Sequence, residues 1–217
     1  LEIYKQGWVY DQSLPAIISV RNLNPRPSFK IVDLCAAPGG KTSHAAQLME
    51  NSGEILAVDR SKPKVRRLRE NLQRLGIKNV KILEADARYL DLIIGERNFD
   101  AAIVDPPCSS LGVRPKLSSR VSRRDILSLS RYQFQFLKVA SKLVKRGGRI
   151  LYSTCTLTLQ ENELIVLRAI KELGLKLIKQ EYFAGSRGFI FKAEMVQRFL
   201  PHIHDTPGFF IAILEKL

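Results

Sequence analysis

The chain has 217 residues, 45% of them hydrophobic, which suits one α/β domain with a sizeable core and is too short for two ordinary domains. No apolar run approaches the ~20 residues that a membrane-spanning helix needs, which excludes an integral helical membrane protein and predicts a soluble one. Its 35 Lys and Arg residues against 21 Asp and Glu residues leave a formal net charge of +14, which favours a polyanionic partner: nucleic acid first, an acidic membrane surface second.

The cysteines and histidines are few. Cys35, Cys108 and Cys155 show neither metal-ligand spacing nor an even count for disulfide pairing, a pattern typical of free thiols in a reducing compartment. His202 and His204 are close in sequence but have no nearby Cys or Glu partners. The sequence therefore predicts a cytoplasmic protein without a bound metal.

Strands and helices are predicted to alternate along most of the chain. A lead-in segment, residues 1–29, ends in a turn-forming cluster and is expected to pack on the main domain, residues 30–217. Hydrophobic periodicity predicts strands at 30–34, 54–58, 80–83, 100–104, 149–152, 176–179 and 208–214, and helices at 42–49, 62–75, 125–144 and 160–173. This alternation predicts a doubly wound α/β fold whose ligand lies beyond the carboxyl ends of the strands. Because the chain begins with Leu1, we expect it to be a piece of a longer protein.

The first predicted strand leads into a glycine turn, residues 33–42 with the sequence DLCAAPGGKT. Such a turn lets a ligand approach the backbone and aims the N–H groups of a helix N-terminus at it. Its last residues, GKT, match the end of a phosphate-binding loop, and residues 101–105, AAIVD, imitate the acidic strand of such enzymes, so a phosphate-loop ATPase is a competing interpretation. Cys35 at the first glycine position and Pro38, which has no N–H, count against phosphate binding.

Carboxylates at the ends of the next two predicted strands narrow the class of ligand. Asp59 can accept hydrogen bonds from a ribose diol, and Asp86 is expected to meet an adenine edge. Two acidic groups would repel a pyrophosphate, whereas they suit a cationic nucleoside such as S-adenosylmethionine. The alternative for either Asp is that it only caps a helix.

Three motifs together resemble the Nop/Sun family of RNA cytosine-5 methyltransferases: the glycine turn, residues 105–109 (DPPCS), and residues 152–156 (YSTCT) followed by ENE at 161–163. The resemblance runs in order from about residue 7 to the end and includes PGFFIA at 207–212. Residues 112–116 (GVRPK) and 157–163 (LTLQENE) further resemble the branch that carries an RNA-binding PUA domain and modifies tRNA near its acceptor end. The resemblance implies a Rossmann-like class I methyltransferase with a mostly parallel, seven-stranded sheet whose last strand is antiparallel.

Methylation at carbon 5 of cytosine needs a temporary covalent bond to carbon 6, and a thiolate is the suitable attacker. Cys108 and Cys155 stand at neighbouring predicted strand ends, and their spacing leaves open which one attacks. The resemblance implies that Cys155 is the nucleophile and that Cys108 assists product release. Asp105 is expected to stabilise nitrogen 3 of the ring, and Lys41 to contact the target nucleotide and lower the pKa of a thiol.

The site residues predicted from the motifs fall into three groups. The catalytic group is Cys155, Cys108, Asp105 and Lys41. The group that binds S-adenosylmethionine is Cys35, Ala36, Ala37, Pro38, Gly39, Gly40, Lys41, Asp59, Lys64, Asp86 and Asp105. A basic, serine-rich loop is expected to follow the phosphate backbone of RNA through Arg114, Lys116, Arg120, Arg123 and Arg124.

Alternatives remain at this point. The basic loop could be only a solvated loop, and the chain could be a non-catalytic RNA-binding protein. We expect a monomeric enzyme that acts on tRNA, with rRNA as the alternative substrate.

Overall fold

The computed structural model describes residues 1–95, 98–116 and 118–217. Its strands are β1 (Lys30–Asp33), β2 (Glu54–Asp59), β3 (Val80–Glu84), β4 (Phe99–Val104), β5 (Val144–Thr154), β6 (Leu175–Leu177), β7 (Ser186–Arg187), β8 (Val196–Phe199) and β9 (Phe209–Lys216). Its α-helices are α1 (Glu2–Lys5), α2 (Leu14–Leu23), α3 (Gly40–Leu48), α4 (Lys62–Arg74), α5 (Leu90–Ile94), α6 (Arg123–Leu143), α7 (Glu163–Glu172) and α8 (Pro201–His204). Short 3-10 helices span Ala87–Tyr89 and Ala193–Met195.

The strands form one sheet in the order β3-β2-β1-β4-β5-β9-β8-β7, with β6 beside β9. β1 to β5 pair in parallel and β9 runs antiparallel to β5, so the predicted α/β class and its antiparallel last strand are confirmed. All seven predicted strands are present, and β7 and β8 are two additional ones. Neither was predicted, because β7 has only two residues and β8 carries Gln197 and Arg198 in place of an apolar run.

The strand order reverses at β1, and this reversal locates the ligand crevice. From β1 the chain moves outward to β2 and β3, then returns to place β4 on the other side of β1. The loops that follow β1 and β4 therefore leave in opposite directions and open a crevice at the carboxyl edge of the sheet. The motifs at 33–42 and 105–109 both begin at this edge.

Helices cover both faces of the sheet, because the central strands are apolar on both sides. Val32 faces a core cluster that includes Leu137 of α6 and residues of α7. Its neighbour Ile31 faces the opposite cluster, with Val20 of α2 and Ala45 of α3. This alternation is the two-residue period of a strand that is buried on both faces. The α2 part of the lead-in segment thus contributes apolar side chains to one face.

Helix α7 begins at Glu163, later than its hydrophobic pattern predicted. The two preceding residues, Glu161 and Asn162, direct their side chains into buried hydrogen bonds with the loop after β5. Side chains that bond to nearby backbone and hydroxyl groups compete with helical geometry and delay the start of a helix. Among the described residues, no helix is both long enough and apolar enough to cross a bilayer.

Candidate active site

A cavity of about 520 Å³ lies at the carboxyl edge of the parallel strands. Every parallel strand contributes to its lining, through Cys35 after β1, Asp59 on β2, Asp86 after β3, Cys108 after β4 and Cys155 after β5. Lys64, Ala37 and Asp105 also line it. The fold therefore brings carboxylates and thiols that are far apart in sequence into one cavity.

A smaller cavity of about 210 Å³ adjoins the first across the glycine turn. It contains the rest of the predicted cofactor-binding turn apart from Gly39, and both cavities share Cys35, Ala37 and Asp105. Its outer wall is the lead-in segment, with Tyr10 and Gln12. These two residues carry no recognisable sequence signal, because nothing in their local pattern indicates that the segment passes over the turn.

Asp33, the last residue of β1, anchors the glycine turn through two hydrogen bonds. Its carboxylate accepts hydrogen bonds from the Cys35 N–H at 3.2 Å and from the Thr42 hydroxyl at 2.7 Å, which ties the end of β1 to the first turn of α3. Complete burial raises the pKa of Asp33 to about 6. Gly39 has a φ of 110°, and a Cβ there would come within 2.8 Å of the Leu68 side chain, so the turn requires glycine at this position.

Asp59 and Asp86 lie on the same wall of the larger cavity but differ in their partners. Asp59 Oδ1 accepts the Ser61 N–H at 3.0 Å. Asp86 accepts the Arg88 N–H at 3.1 Å, so it caps the following 3-10 helix, and it also forms an ion pair with the Arg88 side chain at 2.5 Å. Hydrogen bonds from Arg88 lower the pKa of Asp86. A ligand that reaches Asp86 must therefore share it with a guanidinium group.

Helix α6 supplies an aromatic wall that the sequence did not reveal. Tyr132 and Phe136 line the cavity, and their rings meet edge to face at 5.2 Å between centroids. The guanidinium of Arg88 lies 4.7 Å from the Tyr132 ring centroid. In the sequence these rings are ordinary apolar positions of an amphipathic helix, so no local signal distinguishes them.

Asp105 is held by two donors from different parts of the chain. Lys41 Nζ forms an ion pair with Oδ2 at 2.7 Å, and the Ser153 hydroxyl donates to Oδ1 at 2.8 Å. The Lys41 side chain is only 12% exposed. The predicted catalytic residues Lys41 and Asp105 are thus one hydrogen-bonded unit rather than two independent groups.

The sulfur atoms of Cys108 and Cys155 lie 3.2 Å apart. The hydrogen bond between them lowers the pKa of Cys155 to about 7 and raises the pKa of Cys108. The Ser110 hydroxyl is 3.5 Å from the Cys155 sulfur, and both Ser110 and Lys41 favour the Cys155 thiolate. The spacing of the two cysteines in sequence leaves their roles open, whereas this geometry favours Cys155 as the thiolate.

Two glycines join the Cys155 turn to the surrounding loops. The Gly112 N–H donates to the Cys155 carbonyl at 2.9 Å, and the Gly208 N–H donates to the Gly112 carbonyl at 2.7 Å. A Cβ on Gly112 would lie 2.5 Å from the Gly208 carbonyl oxygen. This close approach of two backbones explains why glycine stands at both positions.

The basic loop after Cys108 divides into two parts. Arg114 pairs with Asp205 at 3.3 Å, and Lys116 Nζ donates to the carbonyls of Ser109 at 3.4 Å and Ser110 at 3.0 Å, so both are engaged within the protein. Arg120, Arg123 and Arg124 are exposed. In the described ranges, no group of three or more His, Cys, Asp or Glu side chains is arranged to hold a metal ion.

A family model described as 16S rRNA methyltransferase RsmB/F matches residues 20–215. A tRNA (cytosine(72)-C(5))-methyltransferase of Pyrococcus horikoshii is 47% identical over 218 residues, which cover 100% of this chain and 54% of that protein. A human 28S rRNA (cytosine(4447)-C(5))-methyltransferase is 36% identical over 228 residues, which cover 98% of this chain and 28% of that protein. The chain thus spans about half, or less, of the length of these curated relatives.

A solved structure gives the same relationship. The crystal structure of NSun6 from Pyrococcus horikoshii with SFG matches with a TM-score of 0.95 at 47% identity, covering 100% of this chain and 55% of that one. The family match extends over nearly the whole chain, and it includes the glycine turn and both cysteine motifs. The chain therefore belongs to the RsmB/F methyltransferase family, as its resemblance to the Nop/Sun RNA cytosine-5 methyltransferases predicted.

Proposed function

We propose that this chain is the methyl-transferring part of an RNA cytosine-5 methyltransferase that acts on tRNA and uses S-adenosylmethionine. One observation carries the proposal: the paired sulfur atoms of Cys108 and Cys155 lie 3.2 Å apart in a cavity that also contains Asp59 and Asp86. Covalent methylation of a pyrimidine requires a thiolate beside a site for a nucleoside-bearing methyl donor. One cavity thus contains residues suited to both roles: thiols for the covalent bond and carboxylates for the nucleoside of the methyl donor.

The chemistry of the larger cavity fits S-adenosylmethionine. Asp59 can accept hydrogen bonds from ribose hydroxyls, and Asp86 can accept one from an adenine amino group. The rings of Tyr132 and Phe136 supply an apolar wall for a base. When bound, S-adenosylmethionine supplies an electrophilic methyl group, and its positive charge suits a cavity with carboxylates on two neighbouring strands.

Cys155 is the proposed nucleophile. Its thiolate attacks carbon 6 of an unpaired or flipped cytosine, which makes carbon 5 electron-rich enough to accept a methyl group. Asp105, oriented by Lys41 and Ser153, is the group proposed to donate a hydrogen bond to nitrogen 3 in its protonated form while charge moves onto the ring. Lys41 also favours the thiolate form of Cys155.

Cys108 is the proposed base for product release. Once carbon 5 carries the methyl group, its remaining proton must leave before the bond between the Cys155 sulfur and carbon 6 can break. The Cys108 sulfur lies beside the Cys155 sulfur in the cavity. Once Cys155 is bonded to carbon 6, the Cys108 thiol first releases its own proton to solvent, and the resulting thiolate takes the proton from carbon 5. Removal of the proton re-forms the double bond between carbons 5 and 6 and expels the Cys155 thiolate.

The proposed substrate is tRNA, because the Pyrococcus horikoshii relative named as a tRNA (cytosine(72)-C(5))-methyltransferase is 47% identical over the whole chain. The exposed Arg120, Arg123 and Arg124 are proposed to contact phosphates. Ribosomal RNA is the second candidate, since a human relative named for 28S rRNA is 36% identical. We propose that the enzyme acts in the cytoplasm as a monomer.

The decisive experiment supplies methyl-labelled S-adenosylmethionine with either tRNA or rRNA transcripts and maps 5-methylcytosine in each. We expect label in tRNA, in an unpaired or end-proximal cytosine. Label in rRNA alone would move the substrate to the second candidate. Calorimetric titration tests the ATPase alternative, which binding of ATP with magnesium, without binding of S-adenosylmethionine, would favour. RNA binding without methyl transfer would favour a non-catalytic protein.

A further inference from the structure

Glu161 is a completely buried carboxylate that accepts five hydrogen bonds. Its Oε1 accepts the Ser109 N–H at 2.8 Å and the Gln133 side-chain amide at 2.9 Å. Its Oε2 accepts hydroxyl groups of Ser109 at 2.6 Å, Thr158 at 2.8 Å and Thr156 at 3.5 Å. A buried carboxylate with this many donors is fully satisfied and fixes the position of every group that it bonds.

The donors to Glu161 come from both cysteine loops. Ser109 directly follows Cys108, and Thr156 directly follows Cys155. The Ser109 and Thr156 hydroxyl oxygens are also 2.6 Å apart, so Thr156 shares its proton between Ser109 and Glu161. One carboxylate thus joins the residues that follow the two cysteines, although the loops belong to different strands.

Gln133 of α6 completes the arrangement from the other side of Cys108. Its side-chain amide donates to the Pro107 carbonyl at 3.0 Å as well as to Glu161. Its carbonyl oxygen accepts the Tyr152 hydroxyl at 3.3 Å. Cys108 is therefore flanked by Pro107 and Ser109, and both are bonded to buried side chains outside their own loop.

We propose that Glu161 is a positioning residue: it holds the Cys108 loop against the Cys155 loop and so maintains the contact between the two sulfur atoms. Glu161 does not line either cavity in the described part of the chain, so it acts through the cysteines rather than on a substrate. Only the effect of Glu161 on catalysis rests on the proposed function. The effect of Glu161 on the contact between the two thiols can be tested without RNA or cofactor.

A purely structural role for Glu161 makes a different prediction. Loss of a buried, fully bonded carboxylate lowers stability wherever it lies in a protein. Only a positioning role also changes the ionisation of Cys155, because the hydrogen bond from Cys108 is the largest cause of its lowered pKa. The pH dependence of Cys155 alkylation therefore separates the two roles.

The experiment measures the alkylation rate of Cys155 by iodoacetamide against pH, read by peptide mass spectrometry so that Cys35 and Cys108 do not interfere. In the unaltered protein we expect a midpoint near pH 7, following the pKa of about 7. In Glu161→Ala the midpoint should rise by about one pH unit or more, toward the pKa of an ordinary cysteine thiol. In Glu161→Gln the midpoint should lie between those of Glu161→Ala and the unaltered protein. The Gln amide can accept from the Ser109 N–H and donate to the hydroxyls, which can rotate.

Glu163→Gln is the matched control. Glu163 is also buried, but it pairs with Arg198 and accepts the Phe189 N–H rather than bonding Ser109 or Thr156. We expect this variant to lose stability and keep the alkylation midpoint near that of the unaltered protein.

With tRNA, Glu161→Ala should lower kcat about 10- to 100-fold and leave the affinity for S-adenosylmethionine unchanged.

An unchanged midpoint in folded Glu161→Ala would overturn the inference. If that variant does not fold, Ser109→Ala provides the same test, since it removes one hydroxyl from the network; the midpoint should rise by a smaller amount, and no rise overturns the inference. Absence of methyl transfer by the unaltered protein, together with the expected alkylation shifts, would instead reject the proposed function and leave the positioning role intact.

Discussion

The two sides of the crevice are stabilised in different ways. On the nucleoside side, after β1, β2 and β3, each aspartate accepts the N–H of the residue two positions further along the chain. Asp33 bonds the Cys35 N–H, Asp59 the Ser61 N–H and Asp86 the Arg88 N–H. These are local turns in which a side chain organises its own backbone.

On the cysteine side, after β4 and β5, the important contacts join residues that are far apart in sequence. Cys108 meets Cys155, Asp105 meets Lys41 and Ser153, and Glu161 meets Ser109. The contacts between the two cysteine loops depend on the pairing of β4 with β5, and the contact of Asp105 with Lys41 depends on the pairing of β1 with β4. Residues in one hydrogen-bonded network are energetically coupled, whereas separate turns are nearly independent. Substitutions on the cysteine side should therefore have the larger and less additive effects.

The largest effect is expected for Cys155→Ala, which removes the proposed nucleophile. Methyl transfer should fall by roughly four to six orders of magnitude, as when nucleophiles are removed from other enzymes with covalent intermediates. The covalent RNA adduct, seen as a denaturation-resistant band, should disappear. An adduct that persists in this variant would assign the nucleophile to Cys108 instead.

Cys108→Ala should have the next largest effect, because it removes the proposed base of product release. Turnover should fall by roughly 10²- to 10⁴-fold while the covalent RNA adduct accumulates. The same change removes the hydrogen bond that lowers the pKa of Cys155, so the alkylation midpoint of Cys155 should rise from about 7. Loss of turnover without accumulated adduct would place Cys108 before the covalent step.

Asp59→Asn tests the independence of the nucleoside side. An amide accepts hydrogen bonds less strongly than a carboxylate, so the Kd for S-adenosylmethionine should rise by roughly 10- to 100-fold, with little change in kcat at saturating cofactor. Calorimetry gives the Kd directly. Asp91→Asn, which alters a carboxylate that pairs with Lys142 and lines neither cavity, is the control and should leave the Kd unchanged.

Asp33→Asn should have the smallest effect on activity and a measurable one on stability. Burial raises the pKa of Asp33 to about 6, above its value in the unfolded chain, so the native state binds the proton more tightly. The stability that the protonated form contributes is therefore lost as the pH rises from about 4 through 6. Asn does not ionise. Between pH 4 and pH 7 the unfolding free energy of Asp33→Asn should therefore gain roughly 2–3 kcal/mol relative to the unaltered protein. Chemical denaturation at several pH values measures this difference, and a pH-independent difference would contradict the raised pKa.

Much of the fold follows from local sequence patterns. The alternation of apolar strands and amphipathic helices predicted the seven main strands, because a strand such as β1 is apolar on both faces and must lie inside the sheet. β7 and β8 were not predicted, since Gln197 and Arg198 are buried by specific polar partners and leave no apolar pattern. The start of α7 was misplaced for the same reason, at Glu161 and Asn162.

The sequence by itself determined the α/β class, the position of the glycine turn, the family and the identities of the aspartates and cysteines at the strand ends. The fold class and the strand ends follow from local turns and from the periods of about 2 residues in strands and about 3.6 residues in helices, and the family follows from the resemblance of the three motifs. Only the tertiary structure decided that the sulfur atoms of Cys108 and Cys155 meet, that Lys41 bonds Asp105, that Tyr132 forms a wall of the cavity, and that Glu161 joins the two cysteine loops. Such contacts depend on the distance and angle between side chains that are remote in sequence, and no local pattern specifies either quantity.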